Sequence, residues 1–243
     1  MFSRPIKFMT YNIRRCTGLD GKIDPHRIAS VIRSCQPDVV ALQEVDRNRK
    51  RTKGIDQAAL LAELTGTNSY FYPRLTQGSE EYGIAILSKH PFELIKAGAL
   101  PSGSTAQQEE CVAAIWAEIK IGETPLQFIA THFNHDYKER LTQIKTLMGD
   151  EWLMHPKCKQ PVVFCGDLNT TRRSPIYSEV FSVLKDAQSL FGQYQKTWPS
   201  FFPLGRIDHI FVSPEIKIHN ISVPSSWEAR MASDHLPLVA DIS

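Results

Sequence analysis

The chain has 243 residues, with 28 Lys and Arg against 26 Asp and Glu, a formal net charge of +2. Hydrophobic residues make up 42% and charged residues 22%, which excludes a largely disordered chain, a collagen-like chain and a long coiled coil. So small a surplus of positive charge permits an anionic substrate but falls short of a dedicated nucleic-acid binder.

Ile6 to Tyr11 is predicted as a first strand. Asp24-Pro25 supplies an N-cap and a first-turn proline, and Ile28, Val31, Ile32 and Cys35 follow at helical spacing until Pro37. Val39 to Leu42 is a short buried strand. Asp56 caps a second helix, Gln57 to Leu64, closed by Gly66. Gly83 to Leu87, Phe92 to Ala97, Val112 to Ile121 and Leu126 to Thr131 are successive strands joined by loops. Asp136, with Glu139 three residues on, opens a third helix whose inner stripe is Leu141, Ile144, Met148 and Trp152. Val162 to Phe164 is another buried strand, and Ser174-Pro175 opens a fourth helix to Leu184. Arg206 to Val212, Ile216 to Val223 and Leu236 to Ile242 are the last strands. Apolar segments alternate with turns throughout, so residues 1 to 243 are expected to form one domain. About ten strands and four helices suit two sheets packed face to face under outer helices. The helix-free strands from residue 83 to 131 argue against the competing doubly wound parallel sheet.

The cysteines, Cys16, Cys35, Cys111, Cys158 and Cys165, are odd in number, scattered and without a C-x-x-C pair. Neither a disulfide framework nor a structural zinc site is expected, and a reduced cytoplasmic setting fits best. No apolar run has the length of a signal-peptide core near the start or of a membrane span elsewhere.

The informative pattern is positional: apolar strands repeatedly meet polar residues of catalytic type. The first strand ends at Asn12 and the second at Gln43-Glu44. Leu126–Thr131 ends at His132, with Asn134 beyond, and Val162–Phe164 runs into Gly166-Asp167-Leu168-Asn169. Arg206-Ile207-Asp208-His209 and Ser233-Asp234-His235 open the later strands. Singly each has a plain reading. Gly-Asp-Leu-Asn makes a turn. Glu44 suits a solvated strand end, His209 a packed strand histidine, His135 a loop surface and Asp136 a helix cap. Six such sites on separate strands are harder to dismiss, because strand ends on one rim converge on one cleft. Carboxylates, amides and imidazoles without a thiolate set suit Mg²⁺ or Mn²⁺.

Read together, six segments resemble the endonuclease/exonuclease/phosphatase superfamily, whose fold is that of pancreatic deoxyribonuclease. They are Thr10-Tyr11-Asn12-Ile13-Arg14, Leu42-Gln43-Glu44-Val45, Ala130-Thr131-His132-Phe133, Gly166-Asp167-Leu168-Asn169, Arg206-Ile207-Asp208-His209-Ile210-Phe211 and Ser233-Asp234-His235, in the family's order. The resemblance implies a four-layer α/β/β/α sandwich with two packed mixed sheets, and divalent-metal-dependent hydrolysis of phosphoester bonds. By position it implies Glu44 as principal metal ligand with Asn12 beside it, and Asp234 supporting the metal or the histidine. Asp167 would orient or deprotonate the attacking water, and Asn169 would hold that water or a phosphate oxygen. His235 would contact the scissile phosphate with Asp208 orienting it, and His132 would be a further phosphate contact. The reverse assignment, with His235 as base, stays open, as does one metal or two. Arg14, Asn134 and Arg173 are candidate substrate-phosphate contacts.

Arg14 stands where DNA-repair members carry an acid, which argues against an abasic-site endonuclease. The basic loop Arg47, Arg49, Lys50, Arg51, Lys53 reads as a solvated charged loop. Phe201-Phe202-Pro203 is either a substrate- or lipid-facing loop or buried under the sheet, and burial is the expectation. Other phosphate chemistries fail on detail. Arg172 is the seventh residue after Cys165, one too far for a C-x₅-R loop, and Asn169 replaces the second acid of a D-x-D-x-T motif. A P-loop and a G-x-S-x-G elbow are both lacking. The expectation is a hydrolase of a small or lipid-like phosphodiester, with a DNA or RNA nuclease as second reading. A catalytically silent binding module is the reading from another class. A cheap discriminator is metal-dependent release of p-nitrophenol from bis-p-nitrophenyl phosphate.

Overall fold

A computed structural model of the chain describes residues 4–101, 112–122 and 125–243. Its strands are β1 (Ile6–Asn12), β2 (Val39–Arg47), β3 (Asn68–Gln77), β4 (Glu80–Ser88), β5 (Phe92–Leu100), β6 (Val112–Ile119), β7 (Leu126–His132), β8 (Val162–Asp167), β9 (Lys185–Asp186), β10 (Asp208–Val212), β11 (Ile218–Ser222) and β12 (Leu238–Ile242). The helices are α1 (Pro25–Cys35), α2 (Gln57–Thr65), α3 (Tyr137–Leu147), α4 (Pro175–Phe181), α5 (Ala187–Phe191) and α6 (Trp227–Ala232). The expected helix starts hold: Asp24, Asp56 and Asp136 each accept a backbone N–H three residues on. Each such cap stabilises its helix by about 1 kcal/mol. Trp152 falls beyond the end of α3 yet is buried.

Two mixed six-stranded sheets form, ordered β11-β12-β1-β2-β4-β3 and β5-β6-β7-β8-β10-β9. The period-two alternation of strand side chains separates three apolar clusters. Ile6 and Phe8 pack between the sheets with Ile115 and Phe128. Met9 and Tyr11, pointing the other way, pack under α1, α2 and α6. Trp116 and Phe164 pack under α3 and α4. The outcome is the expected α/β/β/α layering.

The centre of each sheet holds one parallel pair, β1/β2 and β7/β8. Parallel strands bring their carboxyl ends to one edge, so each sheet presents two chain ends together. Elsewhere β4 pairs antiparallel with both β2 and β3, and both ladders slip by one residue beside Gly83. The extra residue of one slip lies at Gln43-Glu44 and that of the other at Arg74. A bulge re-aims the side chain it carries. Gly83 is required there, since a Cβ would lie 2.0 Å from the Tyr72 carbonyl oxygen and 2.9 Å from the Pro73 Cα.

Phe201 and Phe202 depart from the expected burial, being 41% and 71% exposed. Their loop is strapped down through its backbone, the Ser200 N–H to the Asp234 carbonyl at 2.8 Å, which leaves the two rings outside. The basic loop is more organised than expected, with Arg47 on Glu81 and Arg51 on Asp46. No helix among the described residues is long and apolar enough to cross a membrane.

Gly83→Ala is expected to cost about 1–3 kcal/mol, the scale of overpacking against backbone that cannot retreat. The urea midpoint measures it, and an unchanged midpoint would show that the double bulge tolerates a side chain.

Candidate active site

The rim where the parallel pairs end gathers the polar residues. Asn12 closes β1, His132 closes β7 and Asp167 closes β8, with His132 opposite Asp167 in register. Glu44 sits in the β2 bulge at φ +57°, a left-handed conformation costly for a residue with a Cβ. Arg14, Arg15 and Asn169 share that region of backbone space, at φ +46°, +58° and +46°. Strain of this kind concentrates at functional sites. Asp208 begins β10 and faces Asp167 across the antiparallel ladder.

Opposed carboxylates in a ladder repel unless a cation lies between them. His235 fills that place. Its Nδ1 is 2.9 Å from Asp208 Oδ2, and its Nε2 is 3.6 Å from Asp167 Oδ2. Thr197 Oγ donates to the same Asp208 oxygen at 2.5 Å. The Asn12 amide donates to Glu44 Oε1 and to Asp167 Oδ2, both at 3.1 Å. The Asn169 backbone N–H donates to Asp167 Oδ1 at 2.9 Å, and its side chain is tied to the Phe133 carbonyl at 2.7 Å. His132 Nε2 lies 3.7 Å from Asp167 Oδ2.

Burial works against the His235 imidazolium, but Asp208 and Asp167 outweigh it and raise its pKa to about 10. Burial, and then Asp208, push the Asp167 carboxyl up to about 7. His132 goes the other way: burial and the neighbouring Arg74 hold it well below the ordinary histidine value, so its ring is neutral. The rim thus combines a cationic imidazole, a neutral one and a carboxyl poised near neutrality.

The donor set fits a hard divalent ion. Asp167 and Asp208 bring carboxylate oxygens together around His235, whose protonated ring has no lone pair for an ion, and the buried Asp208 Oδ1 has no hydrogen-bond partner among the described residues. Glu44 and Asn12 Oδ1 add oxygen donors on the two residues that the Asn12 amide nitrogen links to Asp167. Two guanidiniums flank them, with Arg15 Nε 3.7 Å from Glu44 and Arg14 Nε 3.9 Å from Asp234.

Residues 9–235 match the model of the Endonuclease/Exonuclease/phosphatase family. The chain belongs to this family. The uncharacterized protein YbhP of Escherichia coli strain K12 is 23% identical over 249 residues, covering 97% of this chain and 95% of its own length. A solved endonuclease/exonuclease/phosphatase from Bacteroides vulgatus superposes with a TM-score of 0.78 at 22% identity, covering 98% of each chain. The mannosyl-6-phosphatase Bt3783 of Bacteroides thetaiotaomicron gives 0.77 at 21% identity, with 98% of this chain and 99% of its own covered. At these identities the two structures speak for the fold alone.

Of the residues singled out in the sequence, Asn12, Glu44, His132, Asp167, Asn169, Asp208 and His235 come together within this family fold. Asp234 and Arg14 lie at the rim, paired with one another rather than inside the Asp167–Asp208–His235 group. Asn134 departs from its expected role: it is buried and its amide donates to Glu139, not toward a phosphate. Arg173 is exposed on the loop beyond Asn169. His209 is fully buried, its Nε2 donating to the Thr170 carbonyl at 2.8 Å, a packed strand histidine as expected. Sequence reading missed Thr197, Arg15 and Arg74. Arg15 alone had a signal, its place directly after the first-strand motif.

His209 also gives a test. Burial, aided by Arg206, lowers its pKa from 6.5 to about 4. Between these values the unfolded chain binds more protons, so stability rises with pH there. The contribution is fully present above about pH 6.5 and is lost as pH falls toward 4, on the order of 3 kcal/mol. His209→Gln is expected to flatten the dependence of unfolding free energy on pH across that window. An unaltered slope would place the acid sensitivity elsewhere.

Proposed function

We propose that the chain is a divalent-metal-dependent phosphoester hydrolase. The observation that carries this is the His235 imidazole set between Asp208 and Asp167, beside the Asn12–Glu44 pair. Glu44 and the Asn12 carbonyl would hold the ion, Mg²⁺ or Mn²⁺, with Asp234 at the rim. When bound, the ion supplies positive charge to the phosphoryl oxygens and to a nucleophilic water.

The chain's own residues do the rest. The His235 imidazolium, kept charged by Asp208, holds a non-bridging phosphoryl oxygen. Asp167, its carboxyl near 7, takes the proton of the attacking water as the new P–O bond forms and the ester P–O bond breaks, its electron pair leaving on the departing oxygen, which is protonated by solvent. The Asn169 N–H and the Asn12 amide fix which lone pair Asp167 presents. Asp208 and Thr197 keep the histidine in place.

A small phosphoester is the substrate class these surroundings favour over duplex DNA. Arg14, Arg15, Arg47 and Arg51 each face a carboxylate, which leaves little free positive charge to track a polyanionic backbone. A panel of plasmid DNA, RNA, sphingomyelin, inositol phosphates and bis-p-nitrophenyl phosphate, each with and without Mg²⁺, tests the reading. Absence of metal-dependent turnover on every ester would leave a silent binding module.

Asp167→Ala and His235→Ala are each expected to lower turnover at least ~100-fold with the circular dichroism spectrum unchanged. A near-normal rate in either variant would remove that residue from the chemistry. Glu44→Ala is expected to weaken Mg²⁺ binding at least ~10-fold by calorimetry, the lower bound for losing a metal-holding group. Equal affinity would move the ion away from Glu44.

A further inference from the structure

The guanidiniums of the site divide into two kinds. Arg14 has Asp234 and Arg15 has Glu44 as carboxylate partners, while Arg140, its Nε also buried without a partner, donates to the Asn169 carbonyl and keeps its charge. Arg74 has no carboxylate within 4 Å among the described residues. Its one hydrogen bond is from Nη1 to His132 Nδ1, long at 3.4 Å, and its Nε is buried without a partner. It lies over the Tyr82 ring at 5.0 Å, and the β3 bulge is what turns it to this side. An arginine half-buried without a counter-ion among the described residues, carried on a bulge beside a catalytic rim, is poorly explained by folding alone.

Two consequences follow from its chemistry. Arginine only donates, so the His132 Nδ1 it contacts is the acceptor nitrogen. The ring proton therefore sits on Nε2, the nitrogen 3.7 Å from Asp167, where it is available to an incoming oxygen. The second consequence concerns charge. Glu44, Asp208 and Asp234 each face a cation of their own, Arg15, His235 and Arg14. A phosphodiester carries one negative charge and a terminal phosphate two. Arg74 sets a guanidinium with no carboxylate within 4 Å among the described residues beside the neutral His132, where the second anionic oxygen of a terminal phosphate would meet a cation.

We infer that Arg74 is a specificity-determining residue that, with His132, forms an anion-holding arm for the second negative charge of a terminal phosphate, so that phosphomonoesters are the preferred substrate class. This rests on the hydrolase reading above. It replaces the sequence-based expectation of a phosphodiester with a phosphomonoester.

The test compares kcat/KM for p-nitrophenyl phosphate and bis-p-nitrophenyl phosphate at saturating Mg²⁺. Arg74→Ala is expected to lower the monoester value about 30-fold, the scale of a charge-assisted hydrogen bond, and the diester value less than ~3-fold. Arg74→Lys is expected to recover part of the loss. An equal fall on both esters, or no fall on either, overturns the assignment. Two further readouts do not depend on turnover. In the metal-free protein, ¹⁵N NMR is expected to show His132 protonated at Nε2, with mixed tautomers in Arg74→Ala; protonation at Nδ1 in the wild type overturns the arm. Inorganic phosphate is expected to bind about 10-fold more weakly to Arg74→Ala with Mg²⁺ present, and unchanged affinity by calorimetry overturns it. If the wild type cleaves neither ester, the hydrolase reading falls, and these two measurements still decide the role of Arg74. Arg74→Gln replaces Arg74→Ala if the alanine variant does not fold.

Discussion

A single side-chain amide joins the two sheets at the rim where the carboxylates gather. Asn12 belongs to β1, and its amide nitrogen donates both to Glu44 on the neighbouring strand and to Asp167 on the opposite sheet. Its Oδ1 accepts the Arg14 N–H at 3.1 Å, and its backbone carbonyl accepts the Ser233 hydroxyl at 2.7 Å. Ser233 in turn accepts the His235 N–H at 3.3 Å. One neutral residue thereby sets the positions of both acids and of the strap that carries the histidine. Its neutrality matters as much as its reach, since an acid in this place would repel the oxygens it now bridges.

The backbone makes unfavourable choices in the same neighbourhood. Glu44, Arg14, Arg15 and Asn169 adopt left-handed conformations of the kind that cost about 1–3 kcal/mol each. Gly83 meets two bulges at once, one presenting Glu44 and the other Arg74. These costs are spread against three apolar clusters that fill both sheet faces, so the rim can be strained while the layers beneath it stay ordinary.

Strand-end chemistry was legible because it depends on local order: a run of apolar residues stops, and a polar residue follows. Helix starts were legible for a like reason, each Asp cap lying beside its helix in sequence. β3 was not, because it lies half-exposed beside β4 and its bulge interrupts the alternation that marks a strand. Thr197 and Arg74 were hidden because the contacts that define them, to Asp208 and His132, cross long stretches of chain. Phe201 and Phe202 misled through composition. Their types predict burial, but the hydrogen bonds of Ser200 hold the loop's backbone inward and the two rings stay outside. Asn134 misled through proximity, since a residue two places from His132 looks like part of the site until α3 brings Glu139 against it.

The register of β8 with β10 shows why such a fold suits this chemistry. Setting Asp167 against Asp208 in a ladder, both buried, is a poor way to stabilise a protein. The repulsion is relieved by a single imidazolium lying between them, while burial and Asp208, working against that imidazolium, lift the Asp167 carboxyl into the range where it exchanges protons near neutral pH. A more stable pairing would lower both energies and lose that property. Here the sheets supply the rigidity, and among the described residues Arg74, beside His132, faces no carboxylate within 4 Å.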